Sequence, residues 1–272
     1  KKNNFIRDNG KLIEEFVYNY ETFGTTHYTY SDDTHNDSVE KLEYLYNNVY
    51  SKLPFKISFS TYLRLDLLAA HPHTIPLLKE SGLSGTFFGI ESFNKEANKT
   101  IGKTATKERI MENLWKCKDV WKDDVIIQAG LIIGLPNDTA ETCTEWLTES
   151  LEKNSPIDSA SIAPLQILPK NYYSNPEFQA PIEMNPEKFG YTFDKSGIWT
   201  NNKGLNKYDA MRLKKQFDKY QQEQKPLQKN WFDPQRAVSL GITLNEYYTT
   251  STKTLKQIED QKLEEYFNNV LH

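Results

Sequence analysis

Apolar positions recur along the first two thirds of the chain in two alternating rhythms. Between Phe5 and Tyr20, residues Ile13, Phe16, Val17 and Tyr20 fall at helical spacing, and Gly24 follows as a stop. His27 to Ser31 is rich in aromatic and β-branched residues and runs into Asp32-Asp33, which predicts a short strand ending in a polar loop. Asp37 or Ser38 can then cap a helix whose apolar stripe is Val39, Leu42, Leu45, Tyr46 and Val49. The alternation continues as predicted strands over 56–62, 85–91, 125–133 and 159–168, with helices predicted over 73–80, 106–121 and 138–153. Strand openings near Tyr28, Lys56, Gly85, Val125 and Ser159 are spaced as one βα unit of about 30 residues requires.

Strand and helix in strict alternation imply a parallel sheet. Polar residues gather at strand C-terminal ends in several units, so the expected fold is α/β, a partial (β/α)6 TIM-like barrel over residues 1–168 rather than an open doubly wound sheet. After Leu168 the rhythm stops. Pro169, Pro176, Pro181 and Pro186 interleave with Tyr172, Tyr173, Phe178, Phe189, Tyr191 and Phe193. Proline fixes φ and removes a donor, so residues 169–272 are expected to open as an irregular segment pinned by aromatics, a candidate lid. They then close as a mostly helical extension. Its helices are predicted over 209–225 and 254–271, the second with Leu255, Ile258, Leu263, Phe267 and Leu271 on one side.

Composition narrows the class. A chain of 272 residues, 38% hydrophobic and 26% charged, can bury a core without staples and is neither disordered nor collagen-like. Lys plus Arg at 33 against Asp plus Glu at 37 gives a net charge of −4, which argues against a field-driven nucleic-acid binder. Cys117 and Cys143 are the only cysteines, which excludes a disulfide framework and a CxxC-type zinc site and points to a reducing, cytoplasmic setting. The longest apolar run, 125–136, is broken by Gln128 and glycines and is too short to span a membrane. No signal-peptide pattern opens the chain, and no Met starts it, so it is expected to be part of a longer polypeptide. No GxSxG, GxxxxGK[ST] or HExxH pattern is present, which removes support from hydrolase and P-loop readings.

Candidate chemistry sits at strand ends. Asp32 and Asp33 follow the first strand; strand alternation turns them to opposite sides, and each reads equally as a turn or cap residue and as a ligand contact. With His35 they also hint at a divalent-metal site. Arg64 and Asp66 read as an internal pair or an anion clamp. Glu91 and Ser92 bring a carboxylate and a hydroxyl to the end of another strand. Gly130-Leu131-Ile132-Ile133-Gly134-Leu135-Pro136-Asn137-Asp138 is the most informative run, because glycines flanking an apolar strand end let a flat ligand approach backbone. Asp138-Thr139-Ala140-Glu141 fits a reciprocal helix cap, which assigns Asp138 to capping. Cys117 and Cys143 read as core thiols, and His71 with His73 as a loop feature.

Taken in order, Tyr30-Ser31-Asp32-Asp33, Arg64-Leu65-Asp66, Lys79-Glu80-Ser81-Gly82, Gly89-Ile90-Glu91-Ser92 and Gly134-Leu135-Pro136 resemble the barrel of radical S-adenosylmethionine (SAM) enzymes over roughly Lys11 to Leu168. Trp199 followed by Asp209-Ala210 is similar to the tail of cobalamin-type members. The resemblance implies a [4Fe-4S] cluster on a CxxxCxxC loop after the first strand. SAM then chelates the unique iron, and a 5′-deoxyadenosyl radical abstracts hydrogen or drives methyl or sulfur transfer. That loop and strand are expected upstream of Lys1.

On the matching positions, Asp32 and Asp33 stand where the family meets the SAM amino group, although its usual Gly-Gly-Glu is absent. Glu91 and Ser92 stand where it meets the ribose or methionine part, and Arg64 at a carboxylate or substrate contact. Gly130, Ile132 and Gly134 match the GxIxGxxE pattern beside adenine, with Asn137 in place of the final acid. The family also implies an external electron donor and a small-molecule, peptide or RNA substrate, and leaves a cobalamin domain open. Two other readings stay open: a SAM-binding or scaffold barrel that has lost its cluster, and a divalent-metal barrel lyase or hydrolase.

Overall fold

The computed structural model describes residues 8–152, 154–169, 172–175, 177, 179–224, 241–242, 246 and 250–271. Phe5, Lys153, Pro176, Phe178 and Lys225, which entered the expectations above, lie outside them. In chain order the elements are α1 (Asn9–Phe23), β1 (His27–Thr29), α2 (Val39–Asn48), β2 (Ser58–Leu63), α3 (Leu65–Ala70), α4 (Thr74–Glu80), β3 (Leu83–Glu91), α5 (Lys95–Thr100), α6 (Lys107–Trp121), β4 (Ile126–Ile133), α7 (Ala140–Ser150) and β5 (Ser159–Pro164). They are followed by α8 (Pro181–Met184), a single 3₁₀ turn (Pro186–Phe189), β6 (Thr192–Phe193), β7 (Trp199–Thr200), α9 (Lys207–Gln224) and α10 (Thr252–Leu271).

Strands β1 to β5 form one parallel sheet in the order β1-β2-β3-β4-β5. Each strand lies beside the next one in the chain, the wall order of a partial α/β barrel; a doubly wound sheet would reverse its order at a switch point. Two short helices, α3 and α5, were not expected, because six residues are too few to show a 3.6-residue period. β5 stops at Pro164, which has no N–H to give, rather than at Leu168. α7 is capped by Thr139, whose hydroxyl accepts from the Thr142 N–H while the Thr142 hydroxyl accepts from the Thr139 N–H. That corrects the assignment of the cap to Asp138, which does something else, described below.

The residues pack as two compact units, one of 1–88, 113–128 and 227–272, the other of 89–112 and 129–226. In the first, Phe88 of β3 stacks on Trp121 of α6, and the Trp121 indole N–H donates to the Ile75 carbonyl of α4 at 2.8 Å. Helix packing thus covers one face of the strands. Tyr62 and Phe87, paired in register, meet on the opposite face with ring centroids 5.2 Å apart. α1 packs on α10, where Leu255 is fully buried and Ile258 half-buried, whereas Leu263 and Phe267 of the expected apolar stripe are exposed. In the second unit Cys143, Trp146, Leu147 and Leu151 of α7 form the core, and Phe93 packs against Trp146. The Gln221 side-chain amide of α9 pairs with both backbone groups of Ala160 on β5.

Candidate functional site

The end of β3 is a strained point of the second unit. Glu91 has φ +68, and the Ser92 N–H donates across it to the Ile90 carbonyl, closing a three-residue γ-turn of the rare hand. Such backbone costs about 1–3 kcal/mol and persists only where its surroundings impose it. They do so here. Ser92 is buried and its hydroxyl accepts from the Asn94 N–H, while the buried Asn98 amide donates to the Ser92 carbonyl at 2.6 Å.

The turn leaves the Glu91 carboxylate half-exposed beside Gly89. A Cβ at Gly89 would stand 2.6 Å from Glu91 Oε1, so glycine there makes room for the acid. Lys103, on the loop after α5, places Nζ 3.4 Å from Glu91 Oε1 and also donates to the Gly89 carbonyl. A carboxylate and an ammonium therefore lie side by side at one strand end.

β4 is the neighbouring strand and ends in the glycine-flanked edge. Ile127, Ala129, Leu131 and Ile133 are fully buried; Gly130 and Ile132 alternate to the other face, where Ile132 is half-exposed. Beyond Ile133 the loop is tied at almost every backbone group. The buried Asp138 carboxylate accepts from the N–H of Gly134 (3.2 Å) and Leu135 (3.0 Å) and from the Asn94 side chain (3.1 Å). Burial pushes its pKa up to about 6, although these donors and the Cys143 thiol pull the other way. Tyr191 donates its hydroxyl to the Gly134 carbonyl at 2.7 Å. The Asn201 side-chain amide donates to the carbonyls of Leu135 and Asp138, and the Asn202 side-chain oxygen Oδ1 accepts from the Asn137 N–H. Gly134 has φ +101, and a Cβ there would overlap the Trp199 ring. Trp199 in turn donates to the Leu165 carbonyl at 3.0 Å.

The first unit holds the other expected residues. Asp32 turns toward α2. Its carboxylate accepts from Lys41 Nζ at 2.7 Å and from the Thr34 N–H, and although burial pushes its pKa up, these donors hold it below the usual range. Asp33 is exposed in the following turn. The Arg64 guanidinium is a two-pronged partner of Asp66 at an exposed position. Its backbone N–H and carbonyl are both bound by the buried Asn36 side chain at 2.9 Å. His35 packs against Tyr30 and Phe59, and burial lowers its pKa to about 4.

His35 faces rings and Asp32 takes a lysine, so Asp32, Asp33 and His35 do not converge as the divalent-metal reading required. Among the described residues no three His, Cys, Asp or Glu side chains gather to hold a metal ion. Cys117 and Cys143 are buried in different units, and burial raises both thiols, Cys117 to about 12. They do not fit a three-thiolate cluster site. Among the described residues no helix is long and apolar enough to cross a membrane.

Sequence reasoning missed Lys103, Asn94, Tyr191 and Asn201. Lys103 follows the unexpected helix α5. The other three act through side-chain contacts over long sequence separations, which no local pattern carries.

No family model and no curated protein matches the sequence. Solved structures of similar fold are radical SAM enzymes, cobalamin-dependent ones among them. Coproporphyrinogen III oxidase HemN from Escherichia coli is 17% identical over 66% of this chain and 36% of its own, with a TM-score of 0.43. The cobalamin-dependent enzyme OxsB, solved with aqua-cobalamin and SAM bound, is 17% identical over 66% of this chain and 25% of its own, with a TM-score of 0.45. The methyltransferase TsrM from Kitasatospora setae, solved with tryptophan and a SAM analogue, is 15% identical over 57% and 30%, with a TM-score of 0.41. The chain thus spans about a quarter to a third of the length of these proteins.

Proposed function

We propose that this chain is the SAM-binding core of a radical SAM enzyme that abstracts hydrogen from, or transfers a methyl or sulfur group to, its substrate. The observation that carries the reading is the strained Glu91 beside Lys103 at the end of β3, next to the glycine-flanked edge of β4. An α-amino acid presents an ammonium and a carboxylate together, and the Glu91–Lys103 couple offers the complementary charges in the same arrangement. Gly130 and Ile132 offer a flat apolar surface with no side chain thicker than isoleucine, which suits a purine face. SAM combines both groups in one molecule.

Asp32 and Arg64 are held by Lys41 and Asp66 at 2.7 and 2.5 Å, closer than the 3.4 Å between Glu91 and Lys103, so we assign the methionine part to the looser Glu91–Lys103 couple and the adenine to Gly130, Ile132 and the Gly134 turn. Cys117 and Cys143 do not fit a [4Fe-4S] cluster, so its thiolates are assigned to other protein and no step through it is derived. The same two cysteines favour a second reading, a SAM-binding barrel without a cluster.

The natural polypeptide that contains this chain, reconstituted anaerobically with iron and sulfide, is expected to bind SAM and release 5′-deoxyadenosine. Glu91→Gln is expected to weaken SAM binding about tenfold, the loss of one charged hydrogen bond. SAM binding without an iron–sulfur chromophore supports the second reading. No SAM binding at all overturns both.

A further inference from the structure

The loop after β4 is held far more tightly than a strand exit needs. Most of its ties come from a stretch of chain roughly 60 residues later. Tyr191 and Asn201 flank the β6–β7 hairpin, Trp199 lies on it, and Thr192–Phe193 pairs antiparallel with Trp199–Thr200. From it come the hydroxyl on the Gly134 carbonyl, the ring against the Gly134 Cα, and the amide on the carbonyls of Leu135 and Asp138. Tyr191 and Trp199 meet edge to face at 5.7 Å, both nearly fully buried, so the two grips support one another. Asn94, which caps α5 through the N–H groups of Glu96 and Ala97, donates to the Asn137 carbonyl and to Asp138 from the opposite side.

We propose that Tyr191, Trp199 and Asn201 are positioning residues that fix the Gly134–Asp138 turn, and through it the Gly130–Ile132 edge, at the spacing a planar ligand needs. This rests on the reading of that edge as the adenine surface of a SAM site. The physical reason is the steepness of dispersion. A flat ring gains little from any one atom pair, and a gap of about 0.5–1 Å already forfeits a quarter to a half of each contact. An edge carrying only glycine and isoleucine has no long side chain that could swing across to restore it. Its ligand contacts therefore depend on where the backbone is held. The internal bonds also occupy the turn's own donors and acceptors: the N–H groups of Gly134 and Leu135 go to Asp138, and the Gly134 carbonyl goes to Tyr191. The clamp supplies placement, and the half-exposed Ile132 supplies contact.

The test uses the full natural polypeptide and SAM as the probe, with Tyr191→Phe and Asn201→Ala as gentle variants and Phe193→Ala as control. Phe193 lies on the same hairpin, but its ring is exposed and makes none of these contacts. Two readouts are taken: equilibrium SAM binding, and amide hydrogen exchange across 134–138 without SAM. Neither variant touches the ligand: Tyr191→Phe removes one hydrogen bond to the turn, and Asn201→Ala removes two, together with those its side-chain oxygen accepts from the Lys203 and Leu205 N–H groups. Exchange there is expected to quicken and the SAM dissociation constant to rise about 5- to 10-fold, while the thermal midpoint of Tyr191→Phe moves little and Phe193→Ala matches wild type.

Faster exchange with unchanged SAM affinity means the hairpin serves stability alone and overturns the proposal. Unchanged exchange means there is no clamp and overturns it too. If wild type binds no SAM, the assigned function falls and takes the ligand role of the turn with it. Wild-type binding with unaffected variants removes only the clamp.

Discussion

Glu91 shows how one residue can carry opposite demands. Its carboxylate is placed for recognition by a backbone conformation that L-residues rarely adopt, so the fold is under strain where its chemistry is most specific. Glycine has no such penalty at positive φ. Glu91→Gly is therefore expected to raise the free energy of unfolding by about 1 kcal/mol, measured by urea denaturation, while SAM affinity falls. A loss of stability instead would mean that the turn is not strained and that Glu91 is an ordinary strand-end acid. Lys103 belongs to the same trade. It neutralises the carboxylate and holds the Gly89 carbonyl, which steadies the turn without filling it.

At the level of elements, the turn between β4 and α7 and the β6–β7 hairpin behave as one piece. Gly134→Ala tests that union directly, because the added methyl meets the Trp199 ring and sits at a φ that disfavours it. A cost on the order of 3 kcal/mol is expected from thermal or chemical denaturation, far above an exposed glycine such as Gly24, which has open space around its Cβ position.

The five strands and their order were legible because each carries β-branched or aromatic residues and the first four alternate with segments of helical period. The places of Glu91 at the end of β3 and of Gly134 just past β4 were legible for the same reason. What could not be read was anything decided by a partner distant in sequence. Asp138 looked like a cap because its neighbours spell a capping pattern. In the structure Thr139 takes that role, and the acid turns inward to gather two amides and Asn94. Arg64 reads two ways in the sequence and pairs with Asp66 two residues away in the structure, and α10 reads as amphipathic although its Leu263 and Phe267 are exposed.

For the molecule as a whole, the two compact units carry titrations of opposite sign. In the first, His35 is held neutral by burial, with a pKa of about 4 against an ordinary 6.5. Its contribution is present above pH 6.5 and is lost as pH falls through about 4. In the second, Asp138 has a pKa of about 6 against an ordinary 3.8. Its contribution is fully present below pH 3.8 and is lost as pH rises through about 6. Each swing is on the order of 3 kcal/mol. On acidification from pH 6.5 to 4, amides of β2 are thus expected to lose hydrogen-exchange protection relative to those over 129–133, after correction for intrinsic rates. His35→Leu is expected to abolish the trend in the first unit and Asp138→Asn in the second. Parallel changes in both units would contradict the assignment.

The amide of Gln221 imitates a neighbouring strand, offering β5 one acceptor and one donor where a sixth strand would have offered a ladder. A strand edge without such cover is an invitation to foreign chains, which add to it edge to edge and begin fibrils. Gln221→Ala is expected to reopen it, shortening the lag before thioflavin-positive aggregates form at concentrations where wild type stays clear. On that expectation, one side chain of α9 serves to keep copies of the protein apart as well as to hold β5 in place.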